Sequence, residues 1–116
     1  PETVRRYSRE IAEFLLAQGV KAIVVACNTA TAHALDALRA ECPVPVLGVV
    51  EPGARAAVAA SPGRRIGVIG TVGTVRSGAY ERAIRALAPD ADVTALPCQL
   101  FVPLVEEGWL AHPATR

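Results

Sequence analysis

Apolar residues return at helical spacing over "TVRRYSREIAEFLLAQ", residues 3–18, where Val4, Tyr7, Ile11, Phe14 and Leu15 share one face. An amphipathic helix is predicted there, with Gly19 as its stop. The run "KAIVVAC", residues 21–27, is apolar at consecutive positions, the pattern of a parallel strand covered by helices on both faces. Residues 29–41 read as the next helix, ended by Cys42-Pro43, and "VPVLGVV" as a second buried strand. "EPGARAAVAASPGRR" places a short Ala-rich helix between Pro-Gly breakers. The pattern then starts over, with "RIGVIG" as a third strand, residues 76–88 as its helix and "DVTALPC" as a fourth strand. Regular alternation of this kind predicts a doubly wound α/β architecture with a parallel sheet. Pro52-Gly53 suits a hinge, which assigns residues 1–50 to part of a first α/β domain and residues 51–116 to part of a second.

Composition narrows the class. With 116 residues, 52% of them hydrophobic, the chain can bury a core. A net charge of +1 offers no electrostatic footprint for a phosphate backbone or an anionic membrane, so nucleic acid is set aside as a partner. The apolar runs are far shorter than the roughly 20 residues of a membrane span, and the amphipathic start has no secretory core. A soluble cytoplasmic protein is the expectation. Three cysteines without a C-x-x-C pair indicate neither a disulfide framework nor a zinc site. The sequence contains no Met, begins at Pro1 and ends at "AHPATR", which leads to the expectation of an internal segment of a longer chain.

The chemistry concentrates where the first strand gives way to a helix. In open α/β sheets, ligands collect beyond the carboxyl ends of the strands, and Cys27 falls at such an end. The following helix aims unpaired N–H groups and a partial positive charge at the same spot, which favours a thiolate and can bind a carboxylate. Asn28 and Thr29 have the side chains of helix caps, and the same side chains can hydrogen-bond the carboxylate or ammonium group of an amino acid. The bland alternative is that Cys27 is a small buried hydrophobe.

Four separated stretches, "VVACNTATAHAL", "VPVLGVVEPGARAA", "RIGVIGTVGTVRSGAYE" and "FVPLVEEG", together resemble the bacterial glutamate racemases. The wider aspartate/glutamate racemase superfamily shares the Cys-Asn-Thr turn, whereas "EPGARAA" and "GTVGTVRSGAY" are similar to the glutamate branch. The resemblance implies cofactor-independent racemisation in a cleft between two α/β halves, supplying D-glutamate for peptidoglycan. One thiolate removes the α-proton and a second cysteine on the opposite face returns a proton. It assigns Cys27 as base in one direction and acid in the other, Asn28 and Thr29 as substrate-holding residues, Thr71 and Thr74 as contributions of the second half, and Glu106 as a catalytic-site carboxylate. It also implies a homodimer. A full racemase of this kind carries an Asp-Ser motif near its start and a Cys-Thr-His motif beyond the point where this sequence stops. The alternatives are an aspartate racemase, a related single-thiol isomerase or decarboxylase, and a non-catalytic small-anion binding module.

The remaining candidates have simpler readings. Cys42 follows a helix of 13 residues that starts beside Cys27, so it is expected roughly 20 Å away. Cys98 ends the fourth strand, which leaves open a place in the same cleft as a second thiol, but no capping run follows it, and a core position is the expectation. Gly67, Gly70 and Gly73 match neither G-x-G-x-x-G nor the Walker loop and read as a tight turn that can offer Thr71 and Thr74 to a carboxylate. His33 points away from Cys27 and reads as an exposed or satisfied helix histidine. His112 beside Pro113 has no metal-ligand spacing, and no metal is expected. On residue type alone, Glu106 in "EEG" is a solvated helix end.

Overall fold

A computed structural model describes residues 2–115. Helix α1 (Glu2–Ala17) leads to strand β1 (Ile23–Val25), helix α2 (Asn28–Glu41), strand β2 (Val46–Gly48) and helix α3 (Val50–Ala60). Strand β3 (Arg65–Gly70), helices α4 (Val72–Ser77) and α5 (Ala79–Leu87), strand β4 (Asp92–Pro97) and helix α6 (Phe101–Glu106) follow, then two short 3-10 turns. The fold is α/β with parallel strands, as the alternation predicts. The described strands form two sheets of two, with Ile23 opposite Val46 in the first and Arg65 opposite Asp92 in the second.

Each sheet has its own core. Ile23 and Val46 pack with Ala12 of α1 and Ala34, Leu35 and Leu38 of α2, while Ile66 and Val68 pack with Ala54 of α3 and Ile84 and Ala88 of α5. The strands were expected to be covered on both faces. In the described residues one face is open: Val24, Leu47, Ile69 and Leu96 are all more than half exposed.

Helix α1 forms where its periodicity predicts, but on a different face. Tyr7, Ile11 and Phe14 are more than half exposed, and the buried residue is Ala12, flanked by the partly buried Leu15 and Leu16. The reason lies in α2. Arg9 makes a two-pronged bond to Glu41, Nε to Oε2 at 2.7 Å and the guanidinium's second nitrogen to Oε1 at 2.8 Å, and Arg5 Nε donates to the His33 carbonyl at 2.8 Å. Positions 5, 9, 12 and 16 share a helical face, so these polar anchors bring small Ala12 against the neighbour and turn the aromatic stripe outward.

Two further expectations are corrected. Pro52 and Gly53 do not break the chain: they lie in the first turn of α3, where a missing N–H costs nothing because helix-start N–H groups lack intrahelical acceptors anyway. The single helix foreseen over residues 76–88 is two, because Gly78 adopts the left-handed conformation at φ 64°, ending α4 and opening α5.

Candidate functional site

The β1-to-α2 turn of the first sheet and the β3-to-α4 turn of the second face one cavity of about 510 Å³. Cys27, Asn28 and Thr29 line it from one side, Thr71, Thr74 and Tyr80 from the other. The motifs read from the sequence are thus brought together, although 42 positions separate Thr29 from Thr71.

Cys27 is the residue from which α2 starts. Its backbone is extended, at φ −85° and ψ 123°, and its carbonyl accepts the Thr31 N–H at 2.9 Å. No side chain caps this helix, and the thiol is exposed. The first N–H groups of a 14-residue helix therefore open beside an accessible sulfur.

Asn28 and Thr29 do not cap α2. Both reach across to the second half. The Tyr80 hydroxyl donates to Asn28 Oδ1 at 2.7 Å. Thr29 Oγ1 lies 2.9 Å from Thr71 Oγ1 and 3.0 Å from Thr74 Oγ1, and the latter two are 3.1 Å apart, closing a triangle of hydroxyls. Thr71 also caps α4 by accepting the Thr74 N–H at 3.2 Å, so Thr74, 2% exposed, is a helix residue rather than part of the loop expected from "GTVGTV". Gly73 gives the space: a Cβ there would stand 3.3 Å from Thr29 Cγ2. Its glycine serves a close approach of helices, and its carbonyl lies 3.1 Å from His33 Nε2, which satisfies that histidine.

Thr31, next on α2, is buried and structural, its hydroxyl donating to the Val25 carbonyl at 2.9 Å. Cys42 sits at the far end of α2, packed against the first core. Cys98 departs from expectation. It is not a core residue but half-buried on the wall of the same cavity as Cys27. The register explains this: Pro97 pairs with Gly70 and the Cys98 N–H bonds the Gly70 carbonyl at 2.8 Å, which carries Cys98 to the carboxyl end of the sheet.

Glu106 is not brought to the cavity wall. It is the exposed last residue of α6, whose first residues Phe101 and Val102 do line the cavity, and it follows Val102 by one turn on the same face. Glu51 is engaged at the surface with Arg39 at 3.2 Å, and His112 stacks on Trp109 at 4.9 Å.

Tyr80 is the cavity residue that sequence reasoning missed, and Cys98 the one it weighed and placed in the core. Tyr80 lies 52 positions from Asn28, and only the packing of α5 against α3 brings it in. Burial pushes its hydroxyl pKa above the ordinary value of 10.0, so it remains a proton donor at neutral pH.

Known proteins resemble this chain in sequence and in backbone. Glutamate racemase of Geobacter metallireducens is 57% identical over 120 residues, an alignment covering 100% of this chain and 44% of that protein. The solved glutamate racemase of Aquifex pyrophilus superposes with a TM-score of 0.83 at 53% identity, over 98% of this chain and 44% of the other. That of Francisella tularensis, solved in complex with D-glutamate, gives 0.85 at 34% identity over 98% and 43%. The chain thus spans less than half the length of these relatives. Residues 2–103, which hold every cavity residue named above, match the Asp/Glu/Hydantoin racemase family, and to that family the chain belongs.

Proposed function

We propose that this chain carries the first thiol and much of the substrate cleft of a glutamate racemase that interconverts L- and D-glutamate without a cofactor. The observation that carries the reading is Cys27, an accessible thiol at the N-terminus of α2 on the wall of a cavity built by both halves. The substrate is taken from the relatives, each of which is a glutamate racemase. The proton α to a carboxylate is very weakly acidic, so its removal needs a pre-aligned base and donors aimed at the developing charge. The Cys27 thiolate takes that proton, and a second thiol on the opposite face gives one to the carbanion, so one proton is lost, one gained, and no electron changes hands. The first N–H groups of α2 suit the substrate carboxylate. Asn28, Thr29, Thr71 and Thr74 hold the amino acid, the hydroxyl triangle exchanging an internal bond for one to the ligand. Glu106, one turn past the cavity-lining Val102 on α6, resets the proton on one thiol. The division into parts of two α/β domains, at residues 50 and 51, follows the two cores. Supply of D-glutamate to peptidoglycan, a cytoplasmic location and a homodimer complete the reading; among the described residues no helix is long and apolar enough to cross a membrane.

The test is substitution in the complete natural chain. Cys27→Ala should abolish racemisation in both directions, whereas Cys42→Ala should leave the rate within about 3-fold, since only Cys27 has a helix start beside it. Equal damage from Cys42→Ala in a folded protein would refute the assignment.

A further inference from the structure

The cavity contains one polar contact that the proposed chemistry leaves unused. We propose that Tyr80 is a positioning residue: its hydroxyl holds the Asn28 side chain by the amide oxygen, leaving the amide nitrogen to donate to the ligand, and Gly53 keeps the space its ring requires. The inference rests on the reading that Asn28 meets the amino-acid substrate.

Three observations converge. The Tyr80 hydroxyl donates to Asn28 Oδ1 at 2.7 Å, across 52 positions of chain, and both residues line the cavity beside Cys27. A primary amide has one accepting oxygen and an NH2 that only donates, and little else distinguishes its two ends in shape. A donor that stays protonated therefore fixes which end faces the ligand, and burial keeps the Tyr80 hydroxyl protonated. The third observation explains a glycine that the sequence presents as a breaker. Gly53 closes the first turn of α3, and a Cβ there would stand 3.2 Å from both Cε1 and the hydroxyl oxygen of Tyr80. A methyl group at position 53 would have to displace the ring by a few tenths of an ångström, against a hydrogen bond that tolerates little misplacement.

The experiment is a double-mutant cycle in the complete natural chain, with L- and D-glutamate as substrates. Tyr80→Phe keeps the ring and removes only the hydroxyl. It should raise KM about 2- to 10-fold, the range for one lost hydrogen bond, with kcat changed by less than about 2-fold. Asn28→Ala should raise KM at least as much, and Tyr80→Phe added to it should cost nothing more, because the tyrosine acts through the amide. Gly53→Ala should reproduce the Tyr80→Phe phenotype while leaving both hydrogen-bonding groups chemically intact, because its methyl group crowds the ring and hydroxyl of Tyr80. If the Tyr80 and Asn28 losses multiply, if Tyr80→Phe leaves KM unchanged, or if it lowers kcat alone as a smaller folded fraction would, the positioning role is wrong while the site stands. If Asn28→Ala itself leaves racemisation untouched, the underlying assignment of Asn28 to the substrate falls, and this inference with it.

Discussion

A thiol that takes a proton in one direction must give one in the other, so a neighbouring group has to reset its proton without waiting for solvent. Among the cavity residues named here, Tyr80 is committed to Asn28 and the three threonine hydroxyls to one another. That leaves no titrating group on the wall besides the cysteines, and the nearest carboxylate along α6 is Glu106, one turn past Val102. In the complete natural chain we expect Glu106→Gln to lower kcat by about 10- to 1000-fold, the range for loss of a proton-transfer partner, with little change in KM. A partner for one thiol serves the two directions differently, so the loss should be unequal for L- and D-glutamate. Steady-state rates from each enantiomer decide it: wild-type rates in both directions would return Glu106 to the solvated end of α6 where the structure shows it.

Helix α1 is held on α2 by the packing of Ala12, Leu15 and Leu16 and, at the surface, by the exposed Arg9–Glu41 pair. The Glu41 carboxyl is held below its ordinary value of 4.5, first by its hydrogen bond from Arg9 and, more weakly, by that guanidinium's charge. Because the folded pKa is the depressed one, the pair's contribution is present above about pH 4.5 and is lost as pH falls through the folded value. Amide exchange in α1 should therefore accelerate on acidification in that window ahead of exchange in α5, and Glu41→Gln should give the fast α1 exchange already at neutral pH. Exchange in α1 that ignores both changes would leave Ala12 packing as its whole anchorage. The same helix shows where the sequence was legible and where it was not. Its extent follows from apolar periodicity, but its docking face depends on two arginines meeting partners 28 and 32 positions away, which periodicity does not encode. Pro52-Gly53 misled for a local reason, since proline is as compatible with a first helical turn as with a break. The split of the helix after β3 had a readable signal in Gly78, and Thr71 three residues before Thr74 marked the start of α4. Cys27, Asn28, Thr29, Thr71 and Thr74 could be read as cavity residues because each lies at a strand end or in the first turn of the helix that follows; Tyr80 could not, because helix packing delivers it, and Cys98 only in part, because strand register decides on which side its strand end opens.

At the scale of the molecule, two small cores meet along α2, α3 and α4; Thr29 with Thr71 and Thr74 and Asn28 with Tyr80 are polar contacts between them on the cavity wall, while His33 with Gly73 and Arg39 with Glu51 join them away from it. Two cysteines line that cavity, which raises the question of whether the chain holds both thiols of a two-thiol reaction. Their settings differ. Cys27 stands immediately before a 14-residue helix with its backbone N–H groups beside it. Cys98 is followed by two further residues before α6 begins at Phe101, and its thiol is turned back to its own strand, donating to the Leu96 carbonyl at 3.8 Å. No helix starts directly at Cys98 as α2 does at Cys27. We therefore expect the 116-residue chain, produced alone, to interconvert neither L- and D-glutamate nor L- and D-aspartate. In the complete natural chain Cys98→Ala should leave the racemisation rate within about 3-fold of the parent, as for a residue outside the proton path. Chiral analysis after prolonged incubation is the measurement. Interconversion by the chain alone that disappears with Cys98→Ala would make Cys98 the second thiol, and the opposite face of the substrate would then belong to the end of β4.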